Sequence, residues 1–334
     1  MMVLPSWGGV LVRSANRLAR GAFAVAIVAA VGLAPAQESY PHAPIKLVVP
    51  YTAGTGVDVL ARAVGRHLSD RLGQPIIIDN QVGASGNIGV RRVAAASPDG
   101  YTLLSVVNTF TINPAVSSAG YDPQSLAPVA MMARSGMALV VNSTIKASSL
   151  PELVALLKRN PGKFFYASTG VGSPQHLAME LFKRAFGVEV VHVPHRSAGE
   201  ANTSLLGGQT NLMFMPINIA LQPVKVGRIR AFAVTTETRD PAMPEVRTVA
   251  EQGAPGFDVP LWYALLAPNG TPPSVVQKLT GELKAVLALP DIAETMAKLG
   301  MVADYMPPTA LRGYISRDVS RWQAVARAAN IRGE

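Results

Sequence analysis

The sequence predicts an α/β fold made of two similar halves, and three observations support this prediction. Short apolar runs typical of buried strands alternate with segments of helical periodicity, which indicates βαβ units and parallel sheets. In each half, one apolar run leads through a loop of glycine and hydroxyl residues into a helix. Because ligands of open parallel sheets bind at the carboxyl ends of strands, the two loops are candidates to face each other across a cleft.

The N-terminus has the anatomy of a secretory signal peptide. Three arginines precede an apolar run at 21–33, and an Ala-x-Ala-like cleavage site follows at 34–36. The apolar run is short for a membrane span, so we expect cleavage before Gln37 and export of the mature chain, with an uncleaved anchor as the alternative. Residues 1–36 are therefore excluded from the fold prediction.

The composition excludes several classes of protein. The chain has 334 residues, of which 30 are basic and 21 are acidic, and it carries a net charge of +9 at pH 7. The basic residues are scattered and only 6 % of the residues are aromatic, so a nucleic-acid interface is not expected. Cysteine is absent, which excludes disulfides, cysteine metal ligands and cysteine nucleophiles.

The first half opens with a predicted strand at 45–49, and the first glycine loop follows it at 50–58. Gly54 and Gly56 let the backbone turn sharply and come close to a ligand. The N–H groups of the following helix then favour an anion at the positive end of the helix dipole. The alternative is an ordinary βα loop whose glycines serve only the turn geometry.

The remaining predicted elements follow the same alternation. A second glycine-rich turn lies at 80–89, a polar loop at 108–114, the second glycine loop at 168–174 and a surface excursion at 236–260. The other predicted strands are 75–79, 101–106, 138–141, 164–167, 188–193, 212–215, 229–234 and 261–267. Predicted helices include a capped one at 149–160 and three in the tail, at 274–288, 291–299 and 310–329 with Thr309 as N-cap.

Several segments carry motifs shared with a known family. They are the run 44–51 with the Gly54/Asp58 loop, the turn 80–89, the segment 97–104, and the segments 161–163, 167–173, 191–194 and 205–209. In order along essentially the whole mature chain, these motifs resemble those of the Bug-type solute receptors. Such receptors are the extracytoplasmic binding proteins of tripartite tricarboxylate transporters.

The resemblance implies a type II periplasmic-binding-protein fold with two α/β domains around a ligand cleft. Domain 1 would consist of 37–141 together with 264–334, including the tail helices, and domain 2 of 142–263. It also implies a periplasmic protein that binds a small organic carboxylate and has the membrane component of the transporter as its partner. A monomer is the default for this kind of receptor.

The resemblance also implies which residues contact the ligand, mostly through main-chain N–H groups, hydroxyls and bridging waters. Carried over by position, these residues are Tyr51, Thr52, Ala53, Gly54, Thr55, Gly56 and Asp58, then Asn108 and Thr109, then Ser168, Thr169, Gly170, Gly172 and Ser173, with His195 and Met215.

The chain departs from the family pattern at three of these positions. Thr55 separates two glycines that are commonly adjacent, and His195 replaces a tyrosine. Met215-Pro216 stands where many relatives carry an Asp-Asn-like pair. The last change predicts a less polar wall and less support for a ligand with an amino group.

Two polar side chains near the loops keep two interpretations each. Asp58 either orients waters at the ligand or stabilises the start of its helix. His176 lies close to the second loop in sequence, but a lone histidine is commonly a packing or surface residue. His192 and His195 lack a third ligand at metal spacing, so we expect no metal site and no cofactor.

No catalytic residue is expected, because neither a Ser-His-acid order nor a Gly-x-Ser-x-Gly elbow is present. The sequence therefore predicts a non-enzymatic receptor that closes its two domains around a carboxylate. The alternatives are a periplasmic sensor for a signalling system and an exported α/β hydrolase. Dicarboxylates, tricarboxylates, acidic amino acids and aromatic acids all fit two loops rich in N–H groups.

Overall fold

The computed structural model describes residues 1–3 and 40–331. The chain divides into two units, 1–42 and 43–334, and the second unit holds every element described below. The predicted signal peptide falls almost entirely outside the described residues. None of the helices among the described residues is long and apolar enough to cross a membrane.

The second unit alternates strands and helices throughout. Its strands are β1 (Ile45–Val49), β2 (Ile76–Asn80), β3 (Thr102–Val107), β4 (Leu126–Ser135), β5 (Met137–Asn142), β6 (Phe165–Ser168), β7 (Val191–Pro194), β8 (Leu212–Pro216), β9 (Ile229–Val234), β10 (Leu261–Pro268) and β11 (Val302–Met306). Its helices are α1 (Gly56–Leu72), α2 (Asn87–Ala94), α3 (Thr109–Val116), α4 (Leu150–Arg159), α5 (Pro174–Phe186), α6 (Ala198–Leu206), α7 (Ile217–Lys225), α8 (Pro273–Leu287), α9 (Pro290–Lys298) and α10 (Pro308–Ala328).

The first sheet has six strands in the order β11-β4-β10-β3-β1-β2. β1 pairs in parallel with both β2 and β3, as predicted for a βαβ sheet. β10 runs antiparallel to β3 and β4, and β11 runs antiparallel to β4, so the complete sheet is mixed. Because β1 lies between the two strands that follow it in sequence, its carboxyl end is the topological switch point of this sheet.

The second sheet has five strands in the order β7-β6-β8-β5-β9 and repeats this arrangement. β6 pairs in parallel with β7 and β8, while β5 runs antiparallel to β8 and β9. β6 therefore lies between the two strands that follow it, and its carboxyl end is the switch point of the second sheet.

The chain passes from the first sheet to the second at Gly136, since β4 ends at Ser135 and β5 begins at Met137. The predicted domain boundary lies five residues later, and it would assign β5 to the first domain although this strand pairs in the second sheet. The chain returns to the first sheet with β10. The division into two domains stays a prediction.

The tail helix α10 packs on both sheets. Leu311 and Ile315, in its first half, belong to the apolar cluster of the first sheet. Trp322 and Val325, in its second half, belong to the cluster formed by the second sheet. Between them, buried Asp318 accepts hydrogen bonds from Thr111 Oγ1 at 2.6 Å and from Trp262 Nε1 at 3.1 Å. The last helix therefore contacts both sheets, and the assignment of the tail helices to the first domain stays a prediction.

Three sequence predictions about local structure were wrong or incomplete. The segment after β3 is the helix α3 rather than a polar loop, because it buries Phe110 in the apolar cluster of the first sheet and Ile112 and Val116, one helical turn apart, in that of the second. Thr309 is not the N-cap of the last helix, which begins at Pro308 with Pro307 in the cap position. The strands β4 and β11 were not predicted.

Candidate ligand-binding site

The two glycine loops occupy equivalent places in the two sheets. The first loop, residues 50–55, follows β1, and the second loop, residues 169–173, follows β6. Each loop therefore starts from the switch-point strand of its sheet and leads into the N-terminus of a helix, α1 or α5. In open α/β sheets this is the position at which a crevice forms and ligands bind.

The first loop exposes its backbone. Thr52, Ala53, Gly54 and Thr55 are all exposed, and Gly54 adopts a φ of +84° that favours glycine. The hydroxyl of Thr55 donates to the Thr52 carbonyl at 2.8 Å and makes no cap to α1. The first turn of α1 therefore has no side-chain cap, which leaves its N–H groups available to an anion.

Asp58 is buried beneath this loop, and donors surround its carboxylate. Oδ2 accepts from Gly54 N at 2.8 Å and from Arg62 Nε at 3.0 Å, and Oδ1 accepts from Asn80 Nδ2 at 2.8 Å. Burial opposes ionisation of this carboxyl group, but the hydrogen bonds from Arg62, Gly54 and Asn80 together lower its pKa. Since both oxygens are occupied, we infer that Asp58 shapes the loop rather than contacting a ligand.

The residues predicted at the end of β3 join the first loop. The hydroxyl of Tyr51 lies 2.6 Å from Oγ1 of Thr109, and burial raises the pKa of Tyr51 to about 12. Asn108 is buried and directs Nδ2 towards the carbonyl of Pro260 at 3.4 Å. Its Oδ1 is buried without a hydrogen-bond partner among the described residues.

The second loop is held by its own side chains. Ser168 Oγ accepts from Gly170 N at 3.1 Å, and Ser173 caps α5 by accepting from the N–H of His176. Thr169 donates to Gln175 at 3.0 Å. His195 contributes its backbone N–H, which donates to the Ser168 carbonyl at 3.0 Å. These contacts bring the second group of predicted site residues together.

Met215 lies apart from these loops. It is fully buried on β8 and packs in an apolar cluster with Ala138 and Ile217. The described geometry thus gives Met215 a core position rather than an exposed pocket surface.

Two stacked histidines beneath the second loop were not predicted as part of the site. The His176 and His192 rings lie parallel with centroids 4.0 Å apart. Gly172 N donates to His176 Nδ1 at 3.0 Å, and His192 Nε2 lies 2.6 Å from Ser168 Oγ. In the sequence, only the closeness of His176 to the loop indicated that a histidine could support it. The position of His192 could not be predicted, because the strand that carries it is remote from the loop in sequence.

The loop edges of the two sheets meet at two places. A Cβ added to Gly172 in the second loop would lie 2.7 Å from Cγ2 of Val116 at the end of α3. A Cβ added to Gly300, just before β11, would lie 2.7 Å from Cβ of Asn218 at the start of α7. These contacts bring the second loop against the end of α3, which begins at Thr109, and bring the start of α7 against the turn before β11.

The chemistry of the site is that of hydrogen bonding. Neither glycine loop contains a lysine or arginine, so its donors are backbone N–H groups and hydroxyls. Within 1–3 and 40–331, no group of three or more His, Asp or Glu side chains is arranged to hold a metal ion. Ser168 and His192 do form a hydroxyl–imidazole contact, but Ser168 is fully buried.

Comparison with known proteins gives a consistent result. Residues 60–331 match the family model of the tripartite tricarboxylate transporter family receptor. BugT of Bordetella pertussis is 33 % identical over 306 residues, which cover 90 % of this chain and 94 % of BugT.

Solved structures extend the comparison to the fold. The structure of R. palustris Rpa4515 with adipate matches with a TM-score of 0.76 and 31 % identity, covering 88 % of this chain and 99 % of that one. MatC (Rpa3494) from Rhodopseudomonas palustris with bound malate matches with a TM-score of 0.71 and 30 % identity, covering 86 % and 99 %. Each relative is matched over nearly its full length.

Proposed function

Because the chain belongs to the tripartite tricarboxylate transporter receptor family, we propose that it is a periplasmic receptor for a small organic carboxylate, which it passes to the membrane component of such a transporter. The observation that carries this proposal is the position of the two glycine loops. Both start at a switch point, both lead into a helix N-terminus, and both lack basic side chains.

The first loop provides the anion-binding half of the site. The uncapped start of α1 presents N–H donors at the positive end of a helix dipole, whereas the N–H of Gly54 already donates to Asp58. Asp58 carries a negative charge nearby, but its carboxylate accepts from Arg62 and Asn80, and the positive charge of Arg62 offsets it. Repulsion between Asp58 and a bound carboxylate is thereby reduced.

The second loop provides the other half of the binding site. The two halves of the protein close because the ligand has to contact both loops. A ligand with oxygens at its two ends touches both loops only when the sheets are close, so it stabilises the closed arrangement. The contacts of Gly172 with Val116 and of Gly300 with Asn218 supply the border along which the two halves meet. Gly136, the single residue between β4 and β5, is a natural hinge.

The relatives favour an aliphatic carboxylate. Adipate and malate are the molecules bound in the two R. palustris structures, and both are dicarboxylates. Met215 lies in the apolar core, so it gives no information about the ligand.

A receptor fits the geometry better than a hydrolase. The contact between Ser168 Oγ and His192 Nε2 resembles a nucleophile and its base, which are the minimum for covalent catalysis. However, Ser168 is fully buried and its hydroxyl is hydrogen-bonded to the Gly170 backbone. A substrate cannot reach this oxygen in the described arrangement, so we propose that the protein returns its ligand unchanged.

The test is calorimetry on the exported mature protein with adipate and malate, and with adipamide as the uncharged control. Binding of a diacid but not of the diamide is the expected result. Gly54→Ala should weaken binding about tenfold, because a Cβ there enters the loop surface that faces the ligand.

Gly162→Ala is the matched control for Gly54→Ala. Both glycines have a positive φ, of +69° and +84°, and neither added Cβ has a neighbour within 4 Å. Equal affinity loss in the two variants, or equal binding of diacid and diamide, would overturn the carboxylate site. Consumption of a bound diacid would overturn the receptor.

A further inference from the structure

A buried histidine and a half-buried one, His176 and His192, support the second loop through hydrogen bonds. His176 lies in the first turn of α5 and is only 6 % exposed. His192 lies on β7, and its ring is tilted by only 13° from that of His176. Tyr166 on β6 stacks with His192 at 4.8 Å, so three rings from three elements form one stack.

The hydrogen bond from Gly172 requires a neutral His176. Gly172 N–H donates to Nδ1 of His176 at 3.0 Å, so Nδ1 carries a lone pair and the ring proton is on Nε2. A protonated imidazole has hydrogens on both nitrogens and accepts none. Protonation of His176 would therefore place the Nδ1–H of the ring opposite the N–H of Gly172, and two donors repel each other.

His192 supports the other half of the same loop. Its Nε2 lies 2.6 Å from Ser168 Oγ, and this hydroxyl accepts from the backbone N–H of Gly170. The two imidazoles thus hold Gly170 and Gly172, the two glycines of the loop. Two positive charges 4.0 Å apart would repel each other, so protonation of one ring disfavours protonation of the other.

Burial and the positive groups around the stack together outweigh the one carboxylate that would favour an imidazolium. Glu180 Oε1 lies 4.0 Å from His176 Nε2, but it already accepts from Tyr166 at 2.9 Å and from Lys183 at 2.7 Å. Burial, followed by the positive charge of Lys183, lowers the pKa of His176 to about 4. Burial likewise lowers the pKa of His192 to about 4, with smaller effects of His176, Glu180, Lys183 and His195.

We propose that His176 is a positioning residue for the second ligand loop and that its protonation in acid frees Gly172 and weakens ligand binding. A proton from solvent adds to Nδ1, and the Gly172 N–H loses its acceptor. Gly172 also touches Val116 of the first half, so the change acts on the border where the two halves meet. This inference rests on the proposed carboxylate function for its effect on affinity, but not for its effect on the loop.

Two variants separate the acceptor from the titration. In His176→Asn, the carboxamide oxygen occupies the position of Nδ1 and does not titrate, whereas His176→Leu removes the acceptor. With adipate as probe, wild-type affinity should fall about fourfold more than that of His176→Asn at pH 3.5, because only the neutral form binds. Protonation of adipate affects both proteins equally. His176→Leu should bind at least tenfold more weakly at pH 7.

Nitrogen-15 NMR of the ligand-free wild type tests the loop directly and remains informative if adipate does not bind. We expect the Nε2–H tautomer of His176 at pH 7, and a shift of the Gly172 amide that follows the titration of His176. The Nδ1–H tautomer at pH 7, a Gly172 amide that ignores this titration, or an equal acid loss of adipate affinity in His176→Asn would overturn the proposal. Failure of adipate to bind at any pH, with the NMR result as expected, would count against the ligand alone.

Discussion

The backbone N–H of Gly54 donates to Oδ2 of Asp58 at 2.8 Å, so the tip of the first loop is tied to the helix that follows it. Arg62 and Asn80 bind the same carboxylate from the helix and from β2. The exposed loop is thus held by a buried anion, and the remaining N–H groups of the loop keep their direction. Pre-organised donors bind a ligand more tightly than donors that must first be ordered.

Asp58→Asn should therefore weaken ligand binding without removing any exposed group. The carboxamide has one NH₂ group in place of a carboxylate oxygen. In one orientation this NH₂ group faces the N–H of Gly54 and in the other it faces the Nδ2 of Asn80, so two donors meet in either case. We expect a loss of about 1–3 kcal/mol in the free energy of unfolding. Adipate affinity should fall about tenfold, as measured by calorimetry beside urea unfolding.

Asp70→Asn is the control for this variant. Asp70 lies on the same helix but is exposed. Asp70→Asn therefore removes one negative charge from α1, as Asp58→Asn does, but leaves the loop unchanged. Full adipate affinity in Asp58→Asn, with reduced stability, would show that the loop does not depend on this carboxylate.

The hydroxyl of Tyr51 is predicted to serve the fold and not the ligand. It is turned towards Thr109 at 2.6 Å, which leaves the backbone and the ring of Tyr51 for other contacts. Tyr51→Phe and Thr109→Val should each lower stability by about 1 kcal/mol, and a double-mutant cycle should show a coupling of about 0.5–1.5 kcal/mol. Adipate affinity should stay within threefold of wild type in Tyr51→Phe. A larger loss would mean that this hydroxyl reaches the ligand.

Sequence patterns predicted the parts of the site that depend on local chemistry. The run 45–49 followed by Gly54 and Gly56 became β1, an exposed turn and α1, as the alternation of apolar and glycine residues indicated. Gly73 ends α1 in the left-handed conformation, as a C-cap glycine does. In the second half, the same pattern predicted a strand, a glycine loop and a helix, which are β6, the second loop and α5.

Other features depended on contacts between remote segments and could not be predicted in this way. β4 contains Pro128 and many small residues, and it is a strand because β10 and β11 pair with it on both sides. The segment after β3 is rich in Asn and Thr, yet α3 forms there because Phe110 and Ile112 are buried by remote segments of the chain, and Thr111 donates to Asp318 of α10. The stack of His176 on His192 depends on the packing of α5 against the second sheet.

Gly300→Ala should impair closure of the two halves. The added Cβ would lie 2.7 Å from Asn218 Cβ and 3.1 Å from Asn218 N, so the backbone of α7 has to move away. We expect adipate affinity to fall about tenfold. Small-angle X-ray scattering with saturating adipate should give a larger radius of gyration than for the wild type.

Gly187→Ala is the matched control for Gly300→Ala. Gly187 has a φ of +61° against +63° for Gly300, and its added Cβ meets nothing within 4 Å. Both variants should lose about 1 kcal/mol from the left-handed conformation, but only Gly300→Ala should lose affinity. A normal radius and normal affinity in Gly300→Ala would show that this border does not carry the closing motion.

The histidine stack also predicts how stability depends on pH. The pKa of His176 is about 4 in the folded protein and 6.5 in the unfolded chain. Between pH 4 and pH 6.5 the unfolded chain therefore binds more protons than the folded protein. The contribution of His176 to the free energy of unfolding should therefore be largest above pH 6.5 and decrease as the pH falls towards 4. At 1.36 kcal/mol for each pH unit, the decrease from this group is about 3 kcal/mol.

Urea unfolding at several values between pH 7 and pH 4 measures this dependence, with His176→Asn as the comparison. The variant loses the ring stack and should be less stable than the wild type at pH 7. However, its free energy of unfolding should decrease less on acidification, so the two curves should converge towards pH 4. Parallel curves would mean that His176 binds its proton as readily in the folded protein as in the unfolded chain, which is incompatible with an Nδ1 that is held as the acceptor of the Gly172 N–H.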